Sequence, residues 1–394
     1  MERTEDGSLC ISCFKSRIAI QHREPSPVRV KKGVIIVKGL TITKTTAPKA
    51  KPAKGQKLGF GSVFTDHMLL MDYTRGIGWH DARIVPYGPI SLSPAATCFH
   101  YAQETFEGMK AYRAEDGRIL LFRPEENFKR LNRSNERLCI PALDVDFCIE
   151  SLKELVLLDK DWIPEDKEAS LYIRPFIIGN EAKLGVKEAD SYIYCVLLSP
   201  SGAYYANGLQ PVPIYVEEEY VRAVRGGTGF AKTGGNYASS MKAQSIAHEK
   251  GYSQVLWLDG VEKKYVGEVG AMNIFFVVDG EVLTPELDGS ILPGITRMSM
   301  IQILREKGYK VTERKIAIQE IADAYDAGKL QEVFGTGTAA VISPVGQLEW
   351  GDKVMKINDG KIGDISLYAY KTLTDIQWGR AKGPEGWSVE IGHE

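Results

Sequence analysis

Apolar positions along the chain switch repeatedly between the spacing of strands and that of helices. Residues 63–73 and 83–92 carry the apolar, β-branched texture of strands, and 97–110 the spacing of a helix. A strand is predicted over 118–122, after the turn Glu115-Asp116-Gly117. Amphipathic helices are predicted over 124–138, with Pro124 at its start, and over 145–160. Strands follow at 171–178 and 192–199, then the small and turn-forming residues of 201–208. Beyond them come a strand at 212–216, a helix at 238–249 and a strand at 254–258. Residues 273–278 and 281–284 flank Asp279-Gly280, a strong hairpin signal. Ile295, Met298, Ile301 and Leu304 repeat at helical spacing, with Gly308 as the stop. The expected architecture is α+β in two domains, 58–200 and 211–394, with a linker at 201–210.

Composition narrows the class. A chain of 394 residues with 44% hydrophobic and 25% charged residues has the make-up of a soluble globular protein large enough for two cores. A net charge of -2 gives no reason to expect nucleic acid as partner, and residues 33–37 are too short an apolar run to cross a bilayer. Six cysteines in so long a chain suggest reduced thiols and a cytoplasmic setting. Cys10 and Cys13 have C-x-x-C spacing, but with His22 as the only nearby imidazole a zinc site lacks ligands. Residues 1–57 hold 13 Lys/Arg against 4 Asp/Glu and include the low-complexity run 47–54. They read as a basic arm that does not pack, or as a transit segment weakened by its acids.

Chemistry enters at Lys232, in Gly229-Phe-Ala-Lys-Thr-Gly-Gly-Asn-Tyr237. A lysine among glycines and aromatics is either a surface residue on a loop or a desolvated amine able to attack carbonyls, as lysines do toward pyridoxal phosphate. Residues 226–233 also come within one residue of a phosphate loop, with Ala231 in place of the last glycine. That loop needs a helix opening at the lysine, and Gly234-Gly235 is a poor helix start. Gly335-Thr-Gly-Thr-Ala-Ala340 fits a dinucleotide motif in letters only, because Val341-Ile342-Ser343-Pro344 reads as a strand. Its amides and hydroxyls could still grip an anion.

A pyridoxal phosphate site also needs an acid for the ring nitrogen and a phosphate cup. Glu268 interrupts an apolar strand, where an unpaired carboxylate is costly; a partly exposed strand glutamate is the plainer alternative. Arg130, Arg133 and the helix start at 292–297 are phosphate candidates. Tyr172 and Arg174 share one strand face, and such an arginine pairs with a carboxylate, by default a structural one and otherwise a substrate's.

These residues sit among seven ordered segments: 63–68, 106–112, 121–124, 172–175, 234–237, 268–273 and 334–339. Together they resemble the branched-chain amino acid aminotransferases of the fold type IV pyridoxal phosphate enzymes, from Phe60 to Gln377. The resemblance implies a smaller N-terminal α/β domain, a larger C-terminal pseudo-barrel domain and a homodimer. It implies pyridoxal 5'-phosphate as cofactor, held by Lys232 as a Schiff base, with Glu268 on the ring nitrogen and Tyr237 on the phenolic oxygen. Arg130, the amides of Ile295 and Thr296, and Thr338 would hold the phosphate. Tyr101 and the amides of Thr338 and Ala339 would take the substrate α-carboxylate. Phe60, Tyr101, Tyr204 and Val186 would line an apolar pocket, partly from the neighbouring subunit, while Tyr172 and Arg174 would meet the distal carboxylate of glutamate or 2-oxoglutarate.

Two departures stand out. Ala340 and Ser343 occupy positions where mammalian relatives carry a redox-active C-x-x-C, and Ala271 stands where many relatives have threonine. The expected activity is reversible amino transfer between leucine, isoleucine or valine and 2-oxoglutarate. Its rivals are a D-amino acid aminotransferase of the same fold type, a phosphate-loop NTPase and a non-catalytic binding protein.

Overall fold

A computed structural model describes residues 34–37, 39–166, 168–202 and 208–394. Nine strands from the first half and one from the C-terminal end build a ten-stranded sheet whose centre is the antiparallel pair Ser170–Gly179 and Ser191–Ser201. His67–Thr74 and Gly78–Pro86 extend it on one side, Met109–Arg113 and Arg118–Phe122 on the other. The helices Pro124–Arg137 and Val145–Leu158 cover one face, burying Phe128, Leu131, Leu152 and Leu155 against Leu69, Ile84, Leu171 and Ile173. These helices form where the apolar spacing places them; Pro124 opens the first, and the Asp144 carboxylate accepts from the Phe147 amide to cap the second.

The helix expected over 97–110 is not what forms. Only Thr97–Tyr101 is helical; Ala102 then turns into the left-handed region at φ 47°, and Glu104–Phe106 and Met109–Arg113 are strands. Both pair antiparallel with Ser170–Gly179, so tertiary pairing overrides the local pattern.

The expectation that residues 1–57 do not pack also fails over its described part. Leu40–Thr43 runs parallel to Gly78–Pro86 and buries Leu40 and Ile42 in the core. Farther on, the Lys49 amine donates to the carbonyls of Phe64 and Thr65, and its amide to the Asp66 carboxylate. Leu40-Thr-Ile-Thr43 alternates at strand period, a signal that the charge count of the segment hides. Cys10, Cys13 and Tyr204 lie outside the described residues.

A second sheet holds Val212–Glu217, Gln254–Leu258, Asn273–Val278, Glu281–Pro285, Leu330–Gly337 and Val341–Trp350 among its nine strands. The Asp279-Gly280 hairpin has positive φ at both turn residues, as its sequence requires. Sheet membership changes between Ser201 and Val212, where the linker was expected. The last strand, Ser388–His393, returns to pair with Arg118–Phe122 in the first sheet, so 211–394 is not confined to the second sheet. Tyr112, Leu120 and Phe122 of the first sheet pack with Phe275, Phe334 and the helices Ile295–Glu306 and Asp364–Gln377, joining the two halves through one apolar cluster.

Candidate active site

Three elements converge on Lys232. Its amide donates to the Ser134 hydroxyl of the Pro124–Arg137 helix at 2.9 Å, and its carbonyl accepts the Phe106 amide at 3.0 Å. The next residue, Thr233, donates its hydroxyl to the Glu104 carbonyl at 2.8 Å. A helical turn, Gly234–Ala238, opens immediately after. The glycine pair, read as a poor helix start, therefore does begin a helix, supported by these tertiary bonds rather than by propensity.

The Lys232 amine donates to the Tyr237 hydroxyl at 2.7 Å and lies 4.8 Å from the centre of the Phe106 ring. Among the described residues no carboxylate forms an ion pair with it. The Arg174 guanidinium also sits 4.8 Å from the Phe106 centroid, and it donates to the Tyr172 hydroxyl at 2.9 Å. The Arg174 Nε is buried without a hydrogen-bond partner, and no described carboxylate pairs with the side chain. The default of a structural ion pair for Arg174 is thus not met. Phe60 packs edge-on against Tyr172 at 4.7 Å, leaving its own ring half exposed.

Two buried ion pairs flank this cluster. Arg130, 4% exposed, gives two bonds of 2.7 and 2.8 Å to the fully buried Glu107, whose remaining lone pairs take Asn127 and the Gly108 amide. Burial alone would raise the Glu107 carboxyl, but Arg130 first, and then Lys232 and Asn127, hold it below the usual range. Arg130 also reaches the Pro293 carbonyl, one residue before the cap of the Ile295–Glu306 helix. Arg133, three residues on, is exposed, so Arg130 is the buried arginine of the two and the better phosphate candidate.

Glu268 forms the second pair, 2.7 Å from Arg222, and accepts the Leu292 amide and the Asn273 side chain. Here burial wins and the carboxyl is raised, with Arg222 opposing. Arg222 also donates to the Ser290 carbonyl at 2.6 Å. A side chain at Gly229 would lie 2.0 Å from that same carbonyl, so the chain can approach only as glycine.

Five of the candidate cofactor residues line two small spaces. Glu268 and Tyr237 line one cavity, together with Ala271 and Arg222. Thr338, Ile295 and Thr296 line another, together with Lys110. No side chain caps the Ile295–Glu306 helix, which leaves its first amides for an anion. Lys110 is buried, donates to the Ala339 carbonyl at 2.9 Å, and burial pushes its amine down to about 8.

Tyr101 and Val186 belong to an exposed group instead: the Tyr101 hydroxyl donates to the Leu184 carbonyl, and Val186 is 83% exposed. Sequence reasoning assigned no role to Glu107, Glu104, Lys110 or Arg222. Glu107 sits between Glu104 and Lys110, so no isolated charge marks it as one marks Glu268. Arg222 lies in a mixed polar segment without such a mark.

Residues 104–348 match the family model described as amino-transferase class IV. The chain is 57% identical over 349 residues to branched-chain-amino-acid transaminase 1 of Bacillus subtilis, covering 88% of this chain and 98% of that protein. Among solved structures, the Escherichia coli branched-chain amino acid aminotransferase superposes with a TM-score of 0.70 at 27% identity, over 83% of this chain and 99% of that one. A second solved branched-chain amino acid aminotransferase, from T.th. and complexed with N-(5'-phosphopyridoxyl)-L-glutamate, gives 0.68 at 29% identity, covering 82% and 98%.

Proposed function

The chain belongs to the class IV aminotransferase family, and from that premise we infer that it is a pyridoxal-phosphate-dependent branched-chain amino acid aminotransferase. It moves the amino group between leucine, isoleucine or valine and 2-oxoglutarate. The observation that carries the reading is the setting of Lys232: an amine with no carboxylate partner among the described residues, bonded to one phenol and backed by an aromatic ring.

The donor set fits the cofactor. An uncapped helix start beside Arg130 suits a phosphate, Glu268 and Tyr237 on one cavity suit the two polar edges of a pyridine ring, and Lys232 suits its aldehyde. When bound, the group supplies an electron sink for the bond to hydrogen at the substrate Cα. Lys232 Nζ would take and return the Cα proton, with Tyr237 orienting the amine. Glu268, backed by Arg222, would keep a proton on the ring nitrogen. Arg130, Thr338 and the amides of Ile295 and Thr296 would hold the phosphate. Lys110, by fixing the Ala339 carbonyl, sets the loop whose Thr338 and Ala339 amides would receive the α-carboxylate. Ala271 lines the Glu268 cavity and brings no hydroxyl of its own.

Phe60, Tyr101, Tyr204 and Val186 would form the apolar side-chain pocket. The exposure of Tyr101 and Val186 supports completion by a second subunit, hence a homodimer. Arg174, with Tyr172, would receive the distal carboxylate of the acidic substrate. The proposed setting is cytoplasmic, with small molecules rather than nucleic acid or membrane as partners; among the described residues no helix is long and apolar enough to cross a membrane. A panel of amino acids with 2-oxoglutarate as acceptor tests the reading. Glutamate should appear with L-leucine, L-isoleucine and L-valine; turnover of D-amino acids alone would reject it.

A further inference from the structure

The described part of the basic head is tied down at a series of points that lead to Phe60. The Thr45 amide donates to His67 Nε2 at 2.9 Å, and the Lys49 amide to the Asp66 carboxylate at 2.8 Å. Farther on, the Ala53 amide donates to Gln56 Oε1 and the Gln56 amide to the Ala53 carbonyl, both at 3.0 Å, which closes a turn. Gly55, at φ 78°, takes the left-handed conformation within that turn, and its amide donates to both carboxylate oxygens of Asp166, 3.1 Å from each. Leu58 then passes Gly202 so closely that a side chain there would lie 3.0 Å from the Leu58 carbonyl oxygen.

Phe60 is the end of this strap. Its ring is 52% exposed, and its one aromatic contact among the described residues is with Tyr172, at 4.7 Å between centroids. So little burial does not hold a side chain in place, and the backbone on either side has to do so. Downstream, the Thr65 amide donates to the Leu198 carbonyl at 3.1 Å. Upstream, the nearest hydrogen bond to another part of the fold, among the described residues, is that between Gly55 and Asp166. The Tyr172 hydroxyl in turn accepts from Arg174 at 2.9 Å, so the strap ends on the pair proposed for substrate binding.

We propose that Asp166 is a positioning residue for the substrate pocket: by holding Gly55 it fixes residues 45–60 and keeps the Phe60 ring on Tyr172. The proposal rests on the reading of Phe60 as a wall of the apolar side-chain pocket. Without the Asp166 carboxylate, the stretch between hydrogen-bonded points lengthens from 55–65 to 49–65. Slack of that size lowers the population of one loop conformation by about twofold. Losing the ring contact altogether weakens a ligand packed on it by up to about tenfold.

The test uses the full-length holoenzyme and hexanoate, an unreactive apolar carboxylate, titrated by calorimetry. Asp166→Ala should weaken hexanoate by about two- to tenfold and leave the cofactor absorption unaltered. It should raise the KM for leucine with little change in kcat. Asp166→Asn keeps an oxygen for the Gly55 amide and should recover most of the lost affinity. In a Phe60→Ala background, Asp166→Ala should weaken hexanoate no further, because its effect passes through that ring. An unchanged affinity in Asp166→Ala, or an equal loss with and without the Phe60 ring, would overturn the proposal. Phe60→Ala alone separates the two ideas. If it leaves hexanoate affinity unaltered, the reading of Phe60 as a pocket wall fails; if it weakens hexanoate while Asp166→Ala does not, only the role of Asp166 falls.

Discussion

Replacing Glu107 by glutamine strands a cation inside the protein. Arg130 is 4% exposed and Glu107 is fully buried, and the pair is joined by two bonds of 2.7 and 2.8 Å. After the substitution the guanidinium retains the Pro293 carbonyl and a neutral amide oxygen, with no anion in reach among the described residues. Breaking a buried pair from one side costs about 3–5 kcal/mol, whereas removing both charges leaves no uncompensated ion. Urea unfolding of cofactor-free protein should therefore show Glu107→Gln destabilised by that amount. The double variant Glu107→Gln/Arg130→Met should fall short of the sum of the two singles by about 2–3 kcal/mol. Using protein without cofactor keeps any phosphate contact of Arg130 out of the comparison.

The pH dependence has a definite sign. The native Glu107 carboxyl is depressed, so its stabilisation is present above the ordinary carboxylate range and is lost as pH falls through the depressed native value. Wild type should lose stability more steeply than Glu107→Gln below about pH 4, where an unfolded glutamate starts to protonate. A loss under about 1 kcal/mol, or strict additivity of the singles, would refute this view of the pair.

Other outcomes follow from the same geometry. Arg174→Gln should raise the KM for glutamate and 2-oxoglutarate far more than that for leucine, by about 2–5 kcal/mol of lost pairing; equal effects in steady-state kinetics would make Arg174 structural. Glu268→Gln should still bind cofactor, seen as visible absorption, yet lose most of its turnover, because a neutral amide cannot hold the ring-nitrogen proton. Ile42→Ala should destabilise by about 2–5 kcal/mol in urea, since that side chain is in the core of the first sheet. Truncation before Leu58, harmless had the segment been a free arm, should lower the melting temperature for the same reason.

Much of this was legible in the chain, for reasons that differ by residue. Strand 118–122 and helix 124–138 were readable because turn, proline and apolar period agree there with the final packing. The stretch 97–110 was not, because its residues are drawn into strands by pairing with Ser170–Gly179, some 70 residues away in sequence. Residues 40–43 were lost beneath the basic composition around them. At the site, Lys232 and Glu268 announced themselves as charges in apolar surroundings. The partners Arg222 and Glu107 could be named only once the fold brought residues 46 and 23 positions apart into contact. Arg133 shows the converse: the sequence placed two arginines one helical turn apart, and only burial tells which faces inward.

The central assignment is that Lys232 carries the cofactor. Its sharpest competitor is Lys110, the other lysine of the site region, which is more deeply buried and whose amine is pushed down to about 8. Borohydride reduction of the protein with bound pyridoxal phosphate, followed by peptide mapping, distinguishes them. The pyridoxyl group should be found on the peptide containing Lys232 in near-unit amount and be absent from Lys232→Ala. Label on Lys110 or any other lysine, with Lys232 unmodified, would contradict the assignment.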